Sequence, residues 1–299
     1  MASLSELQER ISSIKDTMKI TNAMYMISSN KMRKARESLS NTEPYFSTLE
    51  DIIASVLTHA PEVSHEVFGD SIIHGHISNM PEERRRKGFV VMTADKGLAG
   101  SYNHNILKLA EKAMKEPRRS YKLYVVGHVG EAYFRARHYN IDETFHYTAQ
   151  NPSLGRARNI ARALMEPFMN NELDEIYLIY TRMISAVEME PVITRILPLS
   201  REDYTDTDGS YTDVPMFPSP EAVLSSVAPT CVVGYIYSAL IEAYCCEQNA
   251  RVNAMQAATD AGQEMLHDLS IQYNRVRQAR ITQEITEVAA GAKALKRAK

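Results

Sequence analysis

With 299 residues the chain is long enough for two domains, and its 44 % hydrophobic content is ordinary for a folded protein, which excludes intrinsic disorder. Net charge is only −3, yet both ends are basic: residues 1–40 hold seven Lys and Arg against four Asp and Glu, and residues 275–299 hold seven against two. The three cysteines, Cys231 and the adjacent Cys245 and Cys246, show no metal-ligand spacing and exclude a disulfide framework, which points to a reducing compartment.

Ser3 followed by Glu6 predicts a capping box that starts a first helix. Leu4, Ile11, Met18, Tyr25, Met32, Leu39, Phe46 and Ile53 then recur every seven residues, with Leu7, Ile14, Thr21, Ser28, Ala35, Thr42, Leu49 and Val56 at the companion positions. A strict seven-residue repeat is a coiled-coil seam with a left-handed supercoil. The helix is expected over 1–59, a rod of roughly 80 Å at ~1.5 Å per residue. A kink or short break is expected at Pro44, which has no backbone donor. Glu6, Glu9 and Asp16 stand where a signal peptide needs an apolar run, so this segment reads as structure.

From Ala60 to Lys87 the period fades, and Gly69, Gly75 and Pro81 mark an exposed connection. A different pattern begins at Gly88. Phe89–Thr93 is a short β-prone run, followed by the turn Asp95-Lys-Gly-Leu-Ala-Gly100 and a helical pattern from Tyr102 to Lys115. Tyr121–Val126 predicts a second strand, Gly130–His138 a second helix and Ser153–Met169 a third; Glu175–Tyr180 and Val192–Leu197 complete two more strands. This alternation predicts a Rossmann-like α/β domain over 87–199, its mainly parallel sheet covered on both faces. Residues 200–220 follow as an acidic loop and foot region, with Glu202, Asp203, Asp206, Asp208 and Asp213 against Arg201 alone.

Ser219 before Pro220 and Glu221 is a helix start, and Pro229 is expected to bend the chain into a long terminal helix within 221–299. Val252, Met255, Thr259, Gly262, Leu266, Leu269, Tyr273 and Val276 alternate at spacings of three and four. After one position of drift, Ile281, Ile285, Val288 and Ala292 are expected to carry the seam onward. Cys231–Cys246 is the most apolar stretch, but Glu242 interrupts it and it reads as too short to span a bilayer. The fold class is therefore α/β: a long antiparallel coiled coil of N- and C-terminal helices with an inserted Rossmann-like α/β domain. A parallel homodimer of rods satisfies the same periodicity.

Chemistry is sparse. Asp95–Asn103 is the only stretch resembling a nucleotide loop, but it lacks GxGxxG, and no GxxxxGK[ST] exists. A tight strand-to-helix turn is the plainer reading, and no cofactor is expected. His59, His65, His74 and His76 cluster without a cysteine or carboxylate at supporting spacing, so no metal is assigned. Arg84–Lys87 is too short to argue for nucleic acid. With no Ser/His/Asp or paired-carboxylate arrangement, no catalytic residue is assigned.

Ile281-Thr-Gln-Glu-Ile-Thr-Glu-Val-Ala-Ala-Gly-Ala292 resembles the C-terminal signature of the γ subunit of F-type ATP synthases, in its bacterial form. Ile14–Met24 and Lys31–Ala35 resemble that family's N-terminal helix, and Asp95–Asn103 resembles the turn after the first strand of its central domain. The resemblance covers the whole chain in order. It implies a central rotor shaft standing in the bore of an α3β3 ring, with a knob below against ε and the membrane c-ring. By the same resemblance Met24 lies where the rod meets the ring, and Arg251, Arg277, Gln278 and Thr282 match positions that touch β-subunit loops through charge-assisted hydrogen bonds. The acidic loop and Tyr211–Pro220 fall in the foot near the c-ring. Ala99–Asn103 lacks the cysteine-bearing insertion of the plant plastid form, so thiol regulation is not implied.

The implied function is to couple ion-driven c-ring rotation to conformational change at catalytic β subunits, for ATP synthesis or, in reverse, ion pumping. The chain would have no active site of its own and would bind no nucleic acid. It would lie on the cytoplasmic face of the bacterial plasma membrane, attached only through the complex. Two rival readings are a nucleotide-dependent enzyme with helical arms, and a coiled-coil scaffold that dimerises through its rods.

Overall fold

The computed structural model describes residues 3–71, 75–76, 80–115, 121–185, 188–204 and 216–297. In chain order the elements are α1 (Leu4–His59), β1 (Asp70–Ser71), β2 (Gly75–His76), β3 (Lys87–Met92), α2 (Tyr102–Met114), β4 (Tyr121–Val126), α3 (His128–Ala136), α4 (Leu154–Met169), β5 (Glu175–Met183), β6 (Met189–Leu197) and α5 (Pro220–Arg297). The chain forms two compact units, one of Ser29–Ala250 and one of Met1–Ser28 with Arg251–Lys299.

In the first of these, four strands lie in the order β4-β3-β5-β6. β3 pairs parallel with β4 and with β5, while β6 returns antiparallel to β5. The apolar run of β3 is buried at every position, as a central strand covered on both faces requires. One face, with Val90, Met92, Tyr124 and Leu178, packs on α4 (Ile160, Leu164) and on Ile53 of α1 and Ile236 and Leu240 of α5. The other face, with Phe89, Val91, Leu123 and Ile179, packs on α2 (Ile106, Ala110, Met114) and on Phe134 of α3.

The two long helices approach closely in this unit because Gly234 has no side chain. A Cβ there would lie 2.4 Å from Cδ1 of Phe46, a buried ring that also meets Tyr237 at 6.2 Å between centroids. Gly234→Ala is expected to lower stability by about 1–3 kcal/mol through overpacking. The readout is a lower urea midpoint at unchanged slope, partly restored by adding Phe46→Leu. An unchanged midpoint in the single variant would refute the close approach.

The other unit is the predicted coiled coil. The Thr21 and Thr259 hydroxyls lie 2.9 Å apart, and a Cβ on Gly262 would fall 2.8 Å from Cγ of Met18. Thr21 therefore faces Thr259 while Met18 faces Gly262, so the helices are antiparallel. From Leu4 to Val56 every predicted seam position of α1 is buried or half-buried, and so is every one of α5 from Val252 to Val276.

Several expectations need correction. Of the kink or short break expected at Pro44 the break does not occur, since α1 runs on through it. Pro44 and Ser40, whose carbonyl loses its donor, are both exposed, so water replaces the missing bond. α3 begins at His128 and ends at Ala136, because Gly127 adopts φ +96° before its first turn. The seam does not continue past Val276. Each step back along α1 is matched by a step forward along α5, so Leu4 arrives opposite Val276, and Ile281, Ile285 and Val288 are exposed. An 18-residue window of α5 is in fact long and apolar enough to cross a membrane, but 61 % of it is buried inside the protein, the mark of a core helix. The start signals behave as predicted: Ser3 Oγ accepts the Glu6 N–H at 3.2 Å and Ser219 Oγ accepts the Ala222 N–H at 3.3 Å.

Candidate functional site

The nucleotide-like turn is filled by the protein itself. Asp95 follows β3, and its carboxylate accepts the backbone N–H groups of His128 (3.1 Å), Ala149 (3.1 Å) and Gln150 (3.0 Å). His128 is the first residue of α3, where an anion is favoured by free amides and the helix dipole. A carboxylate already holds that position. Asn103 Oδ1 accepts the Ala94 N–H at 2.9 Å, and the buried Tyr102 hydroxyl donates to the Ala243 carbonyl at 3.1 Å, which ties the turn to α5. The turn is a structural junction.

Of the clustered histidines, His74 lies outside the described residues, and no side-chain geometry is described for His76. The Nδ1 atoms of His59 and His65 engage nearby backbone, the Ser55 carbonyl at 2.9 Å and the Val67 N–H at 3.2 Å. Burial holds the His65 imidazole below its ordinary pKa, against the opposing pull of Glu66. Among the described residues no three metal-ligating side chains converge. Asp206, Asp208, Tyr211 and Asp213 of the acidic foot also lie outside the described residues.

All five partner-contact candidates fall in the coiled-coil unit, but in two places. Met24 is half-buried on α1 and by the register faces Gln256, close to Arg251. Arg251 is only 7 % exposed, so its side chain offers little surface to a partner. Arg277, Gln278 and Thr282 lie about 40 Å or more beyond Arg251 along α5 at ~1.5 Å per residue. All three are exposed.

The uncovered stretch of α5 satisfies most of its polar groups internally. Thr282 Oγ1 donates to the Gln278 carbonyl at 2.9 Å, Arg280 pairs with Glu284 at 3.0 Å, and Gln283 donates to Glu287 at 2.9 Å. Among the described residues the Arg277 guanidinium makes no ion pair or hydrogen bond. Beside it, Ile281, Ile285 and Val288 form a stripe at helical spacing, with Val288 73 % exposed. Further uncovered apolar side chains on this unit are Ile20, Met26 and Ile27 on α1 and Met265 and Ile271 on α5, with Met26 66 % exposed. Sequence reasoning passed over these five. Their signal was available, since each is a large apolar residue off the heptad seam. The arrangement suits a helical surface made to be enclosed: apolar stripes, an uncommitted arginine, and no reacting group.

The chain matches the family described as ATP synthase over residues 3–295. It is similar to the ATP synthase gamma chain of Ruminiclostridium cellulolyticum, 39 % identical over 298 residues that cover 98 % of each chain. The ATP synthase gamma chain of Staphylococcus haemolyticus is 36 % identical, covering 99 % of this chain and 100 % of the relative. The sodium ion specific gamma chain of Acetobacterium woodii is 33 % identical over 98 % of each. Among solved structures, the rotor of Euglena gracilis mitochondrial ATP synthase matches with a TM-score of 0.60 at 15 % identity, over 93 % of this chain and 98 % of that one. The Tetrahymena thermophila central stalk and c-ring structure matches at 0.56 and 20 %, over 80 % of this chain and 99 % of that one. At such identities the structural likeness bears on the fold alone.

Proposed function

The chain belongs to the ATP synthase gamma-chain family, and from that membership we propose that it is the central shaft of a rotary ATP synthase. Its partners in this reading are an α3β3 ring around the coiled coil, and ε and a c-ring at the foot. It sits on the cytoplasmic face of the bacterial plasma membrane through those partners, and the bond-making chemistry belongs to the β subunits.

The observation that carries this reading is the stretch of α5 beyond Val276, exposed throughout its described side chains and carrying Arg277 beside the stripe Ile281, Ile285 and Val288. A single asymmetric shaft touches three chemically identical sites differently. The contact free energy at each site then biases its conformation, and turning the shaft permutes the three states. The relation is reciprocal, so ATP hydrolysis in the ring turns the shaft. Met24, Arg277, Gln278 and Thr282 are the shaft's contacts in this scheme. Arg277 makes charge-assisted hydrogen bonds to acidic loops of β. Arg251 reaches a β loop only through its small exposed remainder.

In the assembled complex, Arg277→Ala with Gln278→Ala is expected to lower ion-driven ATP synthesis about tenfold, the effect of ~1.4 kcal/mol of lost contact energy. Deleting 281–299 is expected to weaken coupling further. Melting of the isolated chain stays unchanged, because both side chains are exposed and Arg277 makes no bond within the chain. Equal synthesis by wild type, double variant and deletion would sink the proposal.

A further inference from the structure

Within the Ser29–Ala250 unit, α4 and α5 enclose an open groove of about 460 Å³ that the shaft reading does not use. Its floor and walls are apolar: Met165 and Met169 from α4, Pro229 and Val233 from α5. Its rim carries Arg158 and Arg162, one helical turn apart on α4 and both exposed. Among the described residues neither guanidinium makes a hydrogen bond or ion pair. Glu166 follows Arg162 by four residues, but it stands on the C-terminal side, the weaker order for a helical pair, and does not close on it.

Two features set this groove apart from an ordinary solvated helix face. Arginine and methionine are both enriched at protein interfaces, the first because its planar fork grips carboxylates and the second because its flexible thioether adapts to a partner's shape. Here two arginines and then two methionines follow one another along one face, Arg158, Arg162, Met165 and Met169 falling at spacings of four, three and four. The complement of that face is another helix with apolar side chains flanked by carboxylates one turn apart. Two unpaired arginines repel a basic occupant and favour an acidic one.

We propose that this groove receives an acidic amphipathic helix from another subunit of the assembly. The proposal rests on the reading of the chain as part of an ATP synthase, and it names a contact away from the coiled coil. The helix lays its apolar side chains between Met165 and Val233, and its two carboxylates meet Arg158 and Arg162.

The test uses the whole ATP synthase purified from membranes, with a photoreactive benzoylphenylalanine in place of Met165. The expected product is a cross-link to one peptide of a different subunit that carries two carboxylates three or four residues apart beside apolar residues. Adding R158E and R162E should lower the cross-link yield about tenfold, and R158Q with R162Q about threefold, while the large subunits still co-purify. A cross-link to lipid, to a second copy of this chain or to a peptide without carboxylates would overturn the proposal. So would a yield indifferent to the arginines, or an intact complex with no cross-link. If the large subunits fail to co-purify with the otherwise unaltered chain, the functional reading falls and the groove's partner with it. That result is distinct from an intact complex that leaves the groove empty.

Discussion

Gly127→Ala is expected to unfold the α/β unit, with a loss of about 4 kcal/mol or more. Gly127 holds φ +96°, which L side chains rarely adopt, and a Cβ there would lie 2.2 Å from the Thr93 carbonyl oxygen. The obstacle is backbone, so no rotamer change relieves it. Nor does Thr93 have room to withdraw. Its N–H and its Oγ1 both donate to the Val126 carbonyl, at 2.8 and 3.0 Å, and Oγ1 accepts the Gly130 N–H at 2.9 Å. Gly127 itself donates to the Tyr147 carbonyl at 2.9 Å. One residue thus joins the ends of β3 and β4 to the start of α3. Urea unfolding followed by circular dichroism measures the effect. A midpoint within experimental error of wild type would show that the turn relaxes in a way this geometry forbids.

The second large effect is expected at the other end of the strands of the same sheet, where β3 and β5 begin. The Glu175 carboxylate is 2 % exposed and meets Arg85 at 2.8 Å and Lys87 at 3.6 Å. It also accepts the Tyr177 hydroxyl at 3.0 Å. Burial, reinforced by this carboxylate, pushes the Tyr177 hydroxyl up to about 12. Removing one member of a buried pair leaves the other charge without compensation, and the penalty is about 3–5 kcal/mol. Glu175→Ala leaves the Lys87 ammonium, 7 % exposed, with the exposed Glu82 at 3.2 Å and the Tyr177 ring at 5.2 Å from its centroid in place of a buried carboxylate. We therefore expect a loss near 3 kcal/mol, the lower end of that range. Replacing both residues by apolar ones, Glu175→Leu with Lys87→Met, should recover much of it, because the buried ammonium is then gone and only the more exposed Arg85 guanidinium loses its partner. If the double variant is as unstable as the single one, packing and not charge accounts for the loss.

Both sites differ in kind from the shaft. The shaft's seam was legible in the sequence because a heptad is a local signal: each residue's burial follows from its phase on its own helix. No break occurs at Pro44 for a related reason, since a proline removes one hydrogen bond while packing along dozens of residues keeps the helix continuous through it. The end of the seam was not legible. Ile281, Ile285 and Val288 keep a helical period like that of Val252–Val276, and it is the pairing of Leu4 with Val276 that leaves them exposed among the described residues.

Among the site residues the same division holds. That Arg277, Gln278 and Thr282 share one region of a helix follows from their spacing, and the structure leaves them exposed. Arg251 looks the same in sequence, yet it is buried. The Asp95 turn shows the limit most clearly. Its acceptor role joins residues 33 and 54 positions away, His128 and Ala149, through backbone groups that carry no sequence signal.

By itself, then, the sequence determined the long helices, their seam, the strand-and-helix alternation of the α/β unit and the family. Each of these is written in local period, turn chemistry or motif. Only the tertiary structure decided where the seam stops, which charged side chains face inward, and that a carboxylate already occupies the anion position beside α3. Those outcomes depend on which distant segment arrives opposite each residue, and hydrophobic period carries no information about that.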